Sequence, residues 1–291
     1  MADRRRVNGP AGTTIPPIFD SPPPRRPAPQ GDKPENEVRK IFLKTGSTPS
    51  ASGSAYLELV NPDPTGPSNT GLKLSCTVHG PRALPRSAPF SPHMVLTTHV
   101  KYAPFATRQR RGYLRDSTER DLGVHLETAL RGAIIADRWP KSGVDVIITI
   151  VEGDQDRSSP ETQSEDVWNI MTVLSGCITV ASAAIADAGI DCVDTVAGGV
   201  AALVSRESGD APTIVIDPPM ADFDKIHAAC CVAYLPAREE VTNMWFKGVI
   251  PGSDATVYNT LVDRALVACR NANRVVVNAL KETINPKIGE S

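Results

Sequence analysis

The spacing of apolar positions separates a polar N-terminal stretch from a folded region. Residues 1–36 hold nine of the 26 prolines and only one aromatic side chain. A segment of this composition buries too little apolar surface to offset the entropy lost on ordering. We therefore predict a flexible, Pro-rich and Arg-rich arm over residues 1–36 and a single folded domain over residues 37–291.

Short runs of β-branched and apolar residues, separated by turn-forming residues, predict the strands of this domain. The predicted strands are Arg39–Leu43, Ser54–Val60, Leu72–His79, Met94–Tyr102, Val144–Val151, Thr195–Val204, Thr213–Asp217, Ala229–Leu235 and Val241–Lys247. The run over Val144–Val151 is β-branched at every position except Asp145, which is typical of a buried central strand.

Apolar residues at helical spacing predict three helices, over Ser117–Arg138, Val167–Ala188 and Ser253–Ile284. Asp116 lies three residues before Glu119, which is a typical start signal, and Gly189 is a typical stop. Residues 155–166 are polar and predict a loop. Four strands, a helix, a strand, a helix, four strands and a helix make an α+β fold with helices packed on sheets.

Composition restricts the possible functions. The net charge is −2, so no overall basic field attracts nucleic acid, and any RNA contact must be local. The six cysteines form no C-x-x-C pair and are interpreted as reduced thiols of an intracellular protein. We expect no apolar run to reach the length of a membrane span: residues 172–190, the most apolar segment, are interrupted by Ser, Gly, Thr and Asp and predict a buried core helix.

Five short motifs occur in a characteristic order along the chain. They are Gly53–Glu58, Gly80-Pro81-Arg82, Ala103-Pro104-Phe105, Trp139–Val146 and Ala186–Ile190. Their order and spacing resemble the RNase PH family of phosphate-dependent 3′-to-5′ exoribonucleases, over about residues 38–285. The resemblance implies an RNase PH-type β-α-β-α domain, related to domain 2 of ribosomal protein S5, and a ring of six such domains around a pore.

Phosphorolysis requires two phosphates side by side. Backbone N–H groups at a helix start, with a hydroxyl and an Arg, can hold them, and a carboxylate can hold a metal or transfer a proton. In active relatives the cradle is Gly-Thr-Arg at the head of the second helix, and the carboxylate is an Asp on a later strand.

The matching positions of this sequence lack those groups. The cradle falls on Thr172, Val173 and Leu174, after a segment over 155–171 that resembles an insertion, and the catalytic Asp falls on Ala229. A paired Arg of active relatives falls on Ser117 and Thr118. The resemblance therefore implies no catalytic residue, no metal and no cofactor.

Other residues allow two interpretations each. Asp217, Asp222 and Asp224 are either a metal cluster or, as we favour, turn residues after a strand. Trp168 and Trp245 are core or subunit-interface anchors rather than base-stacking platforms. The histidines show no pairing with a nucleophile.

Four arginines lie between a predicted strand and the first helix: Arg108, Arg110, Arg111 and Arg115. They form either a solvated loop or a site that contacts RNA phosphates whatever the base. In the family this loop lies near the path of RNA into the pore, so we predict RNA contacts here.

Within the family the sequence is most similar to non-catalytic ring subunits of the RNA exosome. The implied partners are other RNase PH-like ring subunits, an RNA-binding cap protein and single-stranded RNA in the pore, without a membrane. The implied location is the nucleus, the nucleolus and the cytoplasm. Two alternatives stay open: a phosphorolytic exoribonuclease with a rearranged site, and a stand-alone RNA-binding protein.

Overall fold

A computed structural model describes residues 37–289, apart from 61–70, 108–109, 113, 115, 154–162, 206–211, 219–225 and 251–254. The arm predicted over residues 1–36 lies outside the described residues. The element order within the described part is the predicted one, with four strands before the first helix and four between the second and third.

The first sheet has five strands. They are β1 (Lys40–Thr45), β2 (Gly53–Val60), β3 (Leu72–Ala83), β4 (Val95–Tyr102) and β5 (Ser142–Glu152). The spatial order is β1-β2-β3-β5-β4, and β4 runs parallel to β5 while the other pairs are antiparallel. The parallel pair requires a crossover connection, which the first helix supplies.

The second sheet has four antiparallel strands. They are β6 (Ala197–Val204), β7 (Thr213–Ile216), β8 (Ile226–Leu235) and β9 (Glu240–Gly248), in the order β7-β6-β8-β9. Because side chains alternate along a strand, β8 has two different faces. Ala229 and Cys231 lie in the main core cluster with the second helix, whereas Cys230 and Val232 pack with the third helix.

Three α-helices cover these sheets: α1 (Ser117–Arg131), α2 (Gln163–Asp187) and α3 (Ala255–Gly289). Both predicted helix signals are confirmed. The Asp116 carboxylate accepts the N–H of Glu119 at 2.8 Å as the N-cap of α1. Gly189 follows α2 with φ +69°, a left-handed conformation that favours glycine, and so ends the helix.

Several predicted boundaries are wrong, among them the end of α1 and the start of α2. The helix predicted to reach Arg138 ends at Arg131, and a short 3-10 turn follows over Ala136–Arg138. After Gly132 the chain is no longer helical, and Ile134 forms an isolated β-bridge with Cys192. The predicted loop over 155–166 is also too long, since α2 already begins at Gln163.

The predicted core helix is confirmed. The expectation that no apolar run reaches the length of a membrane span was wrong, since Trp168–Asp187 has that length and a mean hydropathy of 1.7. However, 83% of its most apolar window is buried inside the fold. α2 packs against strands of both sheets and against α1 and α3. It therefore forms the centre of the main hydrophobic core.

Candidate functional site

The positions that match the phosphate cradle lie inside α2 and not at its start. The helix begins at Gln163, nine residues before Thr172. Only the first four N–H groups of an α-helix lack an intrahelical acceptor. The N–H groups at Thr172, Val173 and Leu174 are consequently engaged in the helix and are not available to hold an anion.

The surroundings of these positions are also unsuitable for phosphate. Thr172, Val173 and Leu174 are each at most 1% exposed and belong to the buried interior. The Thr172 hydroxyl has no hydrogen-bond partner among the described residues. An uncompensated dianion in such a site would incur a very large desolvation cost, because no cation lies at these three positions.

Ala229 is the position that the motif comparison matches to the catalytic Asp of active relatives. It is on β8, opposite Ala202 of β6 and Lys247 of β9, and its side chain is on the α2 face of the sheet. Only 2% of Ala229 is exposed. The Ala229 methyl group can neither hold a metal nor transfer a proton.

The start of α1, where active relatives supply a paired Arg, carries acidic residues instead. Ser117 and Thr118 form the first turn, and the helix dipole there is capped by the Asp116 carboxylate. That carboxylate also accepts a hydrogen bond from the Arg111 guanidinium at 2.6 Å. A helix start that already holds a carboxylate offers little attraction to a second anion.

Arg111 is part of a cluster that attaches the loop before α1 to the first sheet. Its guanidinium lies over the Tyr102 ring, 4.6 Å from the centroid. The backbone N–H of Tyr102 donates to Glu119 Oε1 at 2.9 Å, and Glu119 is only 3% exposed. Sequence reasoning missed this cluster, although the Asp116–Glu119 spacing marked its location.

The structure separates the four arginines of the predicted RNA site. Arg110 is exposed, whereas Arg111 is half-buried in the cluster with Asp116 and Tyr102. Arg108 and Arg115 lie outside the described residues. Contact with RNA stays a prediction for this loop, and Arg111 has a second role as its anchor.

The acidic residues after β7 do not form a metal site in the described part of the chain. Asp217 is buried and binds the Arg39 side chain, with Nη2–Oδ1 at 2.8 Å and Nε–Oδ2 at 2.9 Å. Asp222 and Asp224 lie outside the described residues. No group of three or more potential metal-ligating side chains occurs among the residues that the structure describes.

One pairing was missed by sequence reasoning, which found no histidine beside a nucleophile. Ser205 Oγ lies 2.9 Å from His227 Nε2 in an exposed position. A hydrolytic triad needs a third group that orients the imidazole, and within the described ranges no carboxylate bonds to His227. In the described residues, the Ser205–His227 pair therefore lacks the third member of a hydrolytic triad.

Trp168 and Trp245 are partly buried and pack against the main core cluster, as predicted. The Trp245 ring stacks on His125, with centroids 4.4 Å apart and planes at 15°. This stack joins β9 to α1.

All six cysteines are free thiols, in agreement with the sequence prediction. Burial raises the pKa of Cys230 to about 11, and burial together with the nearby Asp191 carboxylate raises the pKa of Cys192 to about 11. Burial raises the pKa of Cys76, Cys177 and Cys269 still further. These thiols are protonated at neutral pH and unsuited to nucleophilic or metal chemistry.

Comparison with known proteins identifies the family of this chain. The sequence model of the 3′ exoribonuclease family, domain 1 (RNase PH), matches residues 37–191. The chain is 66% identical to the exosome complex component MTR3 of Chaetomium thermophilum, over 98% of this chain and all of that protein. It is 28% identical to human MTR3, over 84% of this chain and 83% of that protein.

Two more distant proteins are also similar to this chain. The exosome complex component Rrp41 of Nitrosopumilus maritimus is 24% identical over 87% of this chain and 88% of that protein. The crystal structure of rice Rrp46 superposes with a TM-score of 0.66, covering 86% of this chain and 98% of that chain at 16% identity. The latter similarity supports the fold alone.

Proposed function

The chain belongs to the RNase PH family, and we propose that it is an MTR3-type, non-catalytic structural subunit of the RNA exosome ring. In this role it pairs with other RNase PH-like subunits and completes a hexameric ring. RNA threads through the ring to partner nucleases for 3′-to-5′ processing and degradation.

One observation carries the non-catalytic part of the proposal. The residues at the cradle positions, Thr172 to Leu174, are engaged within α2 and buried among apolar groups. Ala229 replaces the carboxylate on the facing strand. The chain therefore has the fold of the family but neither the groups that would bind phosphate nor the carboxylate that would hold a metal or transfer a proton.

The proposed partners follow from the relatives. Proteins named as exosome complex components match nearly the whole chain. We further propose that the chain contacts an RNA-binding cap protein and that single-stranded RNA passes through the pore. We also propose a location in the nucleus, the nucleolus and the cytoplasm. The loop with Arg108, Arg110 and Arg115 would supply RNA contacts that do not depend on the base.

A phosphorolysis assay tests the non-catalytic role. The purified chain is incubated with single-stranded RNA, Mg²⁺ and inorganic phosphate, with an active RNase PH as the positive control. We expect no release of nucleoside diphosphates. Release that is abolished by Asp222→Asn or Asp224→Asn would instead support the rearranged exoribonuclease.

A further inference from the structure

Helix α2 carries a row of hydroxyl side chains on the face that meets the start of strand β6. Thr179 Oγ1 accepts the backbone N–H of Gly198 at 3.1 Å, and Ser182 Oγ accepts that of Val196 at 2.9 Å. The helix and the strand approach closely here, since a Cβ at Gly198 would lie 2.4 Å from the Ser175 carbonyl oxygen. The two hydroxyls therefore fasten α2 to the second sheet at a contact between backbones.

Thr172 continues this row without a bond of this kind. It lies seven residues before Thr179, so that two helical turns place both side chains on the same face of α2. Thr172 is 1% exposed, and its hydroxyl has no hydrogen-bond partner among the described residues. A buried hydroxyl without a partner is costly, because folding removes the bonds that it makes to solvent in the unfolded chain. The space beside Thr172 should therefore hold a group that can bond to it.

A cavity of about 20 Å³ borders Thr172. It lies where α2, α3 and β6 meet the first two strands of the first sheet, and Ser175 and Asp217 also line it. About 10–15 Å³ is enough for one water molecule, provided that polar groups surround it. Ser175 follows Thr172 by three residues, a spacing that puts both side chains on one side of the helix. The cavity thus combines sufficient room with several polar side chains.

The cavity is suited to a neutral ligand and not to an ion. Among the described residues that line it, Asp217 alone carries a charge, and the buried Arg39 guanidinium already neutralises that charge. Much of the remaining wall is apolar and includes Leu57 and Leu59. An ion would lose its hydration there without gaining a counter-charge. A water molecule needs only two to four hydrogen bonds, which the polar side chains of the cavity can provide.

We propose that this cavity is a binding site for one structural water molecule, held by the Thr172 hydroxyl together with Ser175 and Asp217. The water completes the row of hydroxyl contacts along α2. It also connects the central helix to the ion pair of Arg39 and Asp217, which joins the two sheets. The inference concerns the folded chain alone and does not rest on the proposed function.

Removal of the hydroxyl distinguishes a hydrated cavity from a dry one by the sign of its effect. Thr172→Val keeps the shape of the side chain. In a hydrated cavity it deprives the water of a hydrogen bond, and the melting temperature of the full-length chain in its assembly should fall by about 2–4 °C. In a dry cavity it removes an unsatisfied polar group, and the melting temperature should rise. Thr128→Val is the matched control, since Thr128 is exposed on α1 and bonds only locally, to the Val124 carbonyl at 2.9 Å.

A crystal structure of the assembled protein, at a resolution that shows ordered water, locates the ligand directly. We expect one density peak at about 2.8 Å from Thr172 Oγ1 in the parent. The peak should be lost in Thr172→Val and kept in Thr172→Ser, which retains the hydroxyl, while Thr128→Val should leave both the peak and the melting temperature unchanged. A parent cavity without density at this distance would overturn the proposal. So would a melting temperature that Thr172→Val leaves unchanged or raises.

Discussion

Arg39 and Asp217, 178 positions apart, form a bidentate ion pair that is sealed from solvent. The guanidinium donates to both carboxylate oxygens, and the backbone N–H of Arg39 adds a third bond to Oδ2 at 3.0 Å. Their side chains are 0% and 8% exposed. The pair joins the beginning of β1, in the first sheet, to the end of β7, in the second.

Loss of one partner of this pair should be strongly destabilising. Asp217→Asn keeps the size and tolerates the residue's left-handed backbone, at φ +48°, but leaves the Arg39 guanidinium buried without its counter-charge. We expect a loss of about 3–5 kcal/mol in the free energy of unfolding. Urea denaturation of the assembled protein measures this change in the free energy of unfolding.

The matched control removes both charges. In Arg39→Met/Asp217→Asn no unpaired cation is left buried, so most of the lost stability should return. A double variant that is no more stable than Asp217→Asn would show that the carboxylate acts through its bond to the Arg39 backbone rather than through the ion pair.

The arginine loop should bind RNA through its exposed members. Replacing Arg108, Arg110 and Arg115 by Ala should leave the ring assembled and lower RNA affinity. The slope of log affinity against log salt should shrink by up to about 0.7 for each RNA phosphate that the variant no longer binds. Fluorescence anisotropy over a salt series measures this slope.

The variant Arg111→Ala distinguishes the structural role of Arg111 from the RNA contacts expected of the other three arginines. Arg111→Ala removes the anchor on Asp116 and Tyr102 and should lower the melting temperature, whereas the triple variant should not. An unchanged salt slope in the triple variant would show that the loop is only solvated and does not contact RNA. Failed assembly of the triple variant would make these arginines interface residues.

The N-cap of α1 should contribute measurably to stability. Asp116→Ala removes the acceptor for the Glu119 N–H and should cost about 1 kcal/mol. Asp116→Asn keeps a capping oxygen and loses only the charge that pairs with Arg111, so its loss should be smaller. Equal losses in thermal denaturation would assign the effect to the ion pair and not to the cap.

Buried thiols should make the fold sensitive to alkaline pH. Burial raises the pKa of Cys192 to about 11 in the folded chain, so the neutral thiol is favoured there, while the unfolded chain ionises near its ordinary value of 9.0. The stabilising contribution is complete below pH 9 and is lost as pH rises towards 11. The melting temperature should fall across this window.

Cys192→Ala removes one of the titrating groups, so the melting temperature of this variant should depend less steeply on pH between 9 and 11. The other buried thiols keep part of the dependence. An identical pH slope in the parent and the variant would show that Cys192 does not ionise on unfolding in this range.

Local patterns predicted the elements well because the relevant signals are short-range. The β-branched run of β5 and the cap at Asp116 each depend on residues within a few positions of one another. The start of α2 was missed because the residues from Gln163 to Asp166 are polar and carry no apolar period.

Long-range pairing was not predictable in the same way. Nothing near Arg39 indicates that its partner is Asp217, and the apolar spacing at Ile134 fits a helix as well as the β-bridge to Cys192 that the fold adopts. At the candidate site, the missing groups could be found by matching positions to the family. The position of Thr172 inside a buried helix also followed from the apolar spacing, since the helix was predicted from Val167 onwards and residues 172–190 were predicted to form a core helix; only the earlier start at Gln163 was missed.

Native mass spectrometry of the complex purified through the tagged endogenous chain tests the central claim most directly. The account predicts one copy of this chain with several different RNase PH-type chains in near-equal amounts, at the mass of a closed ring with its cap proteins. A free monomer, or an assembly of this chain with itself alone, would contradict it.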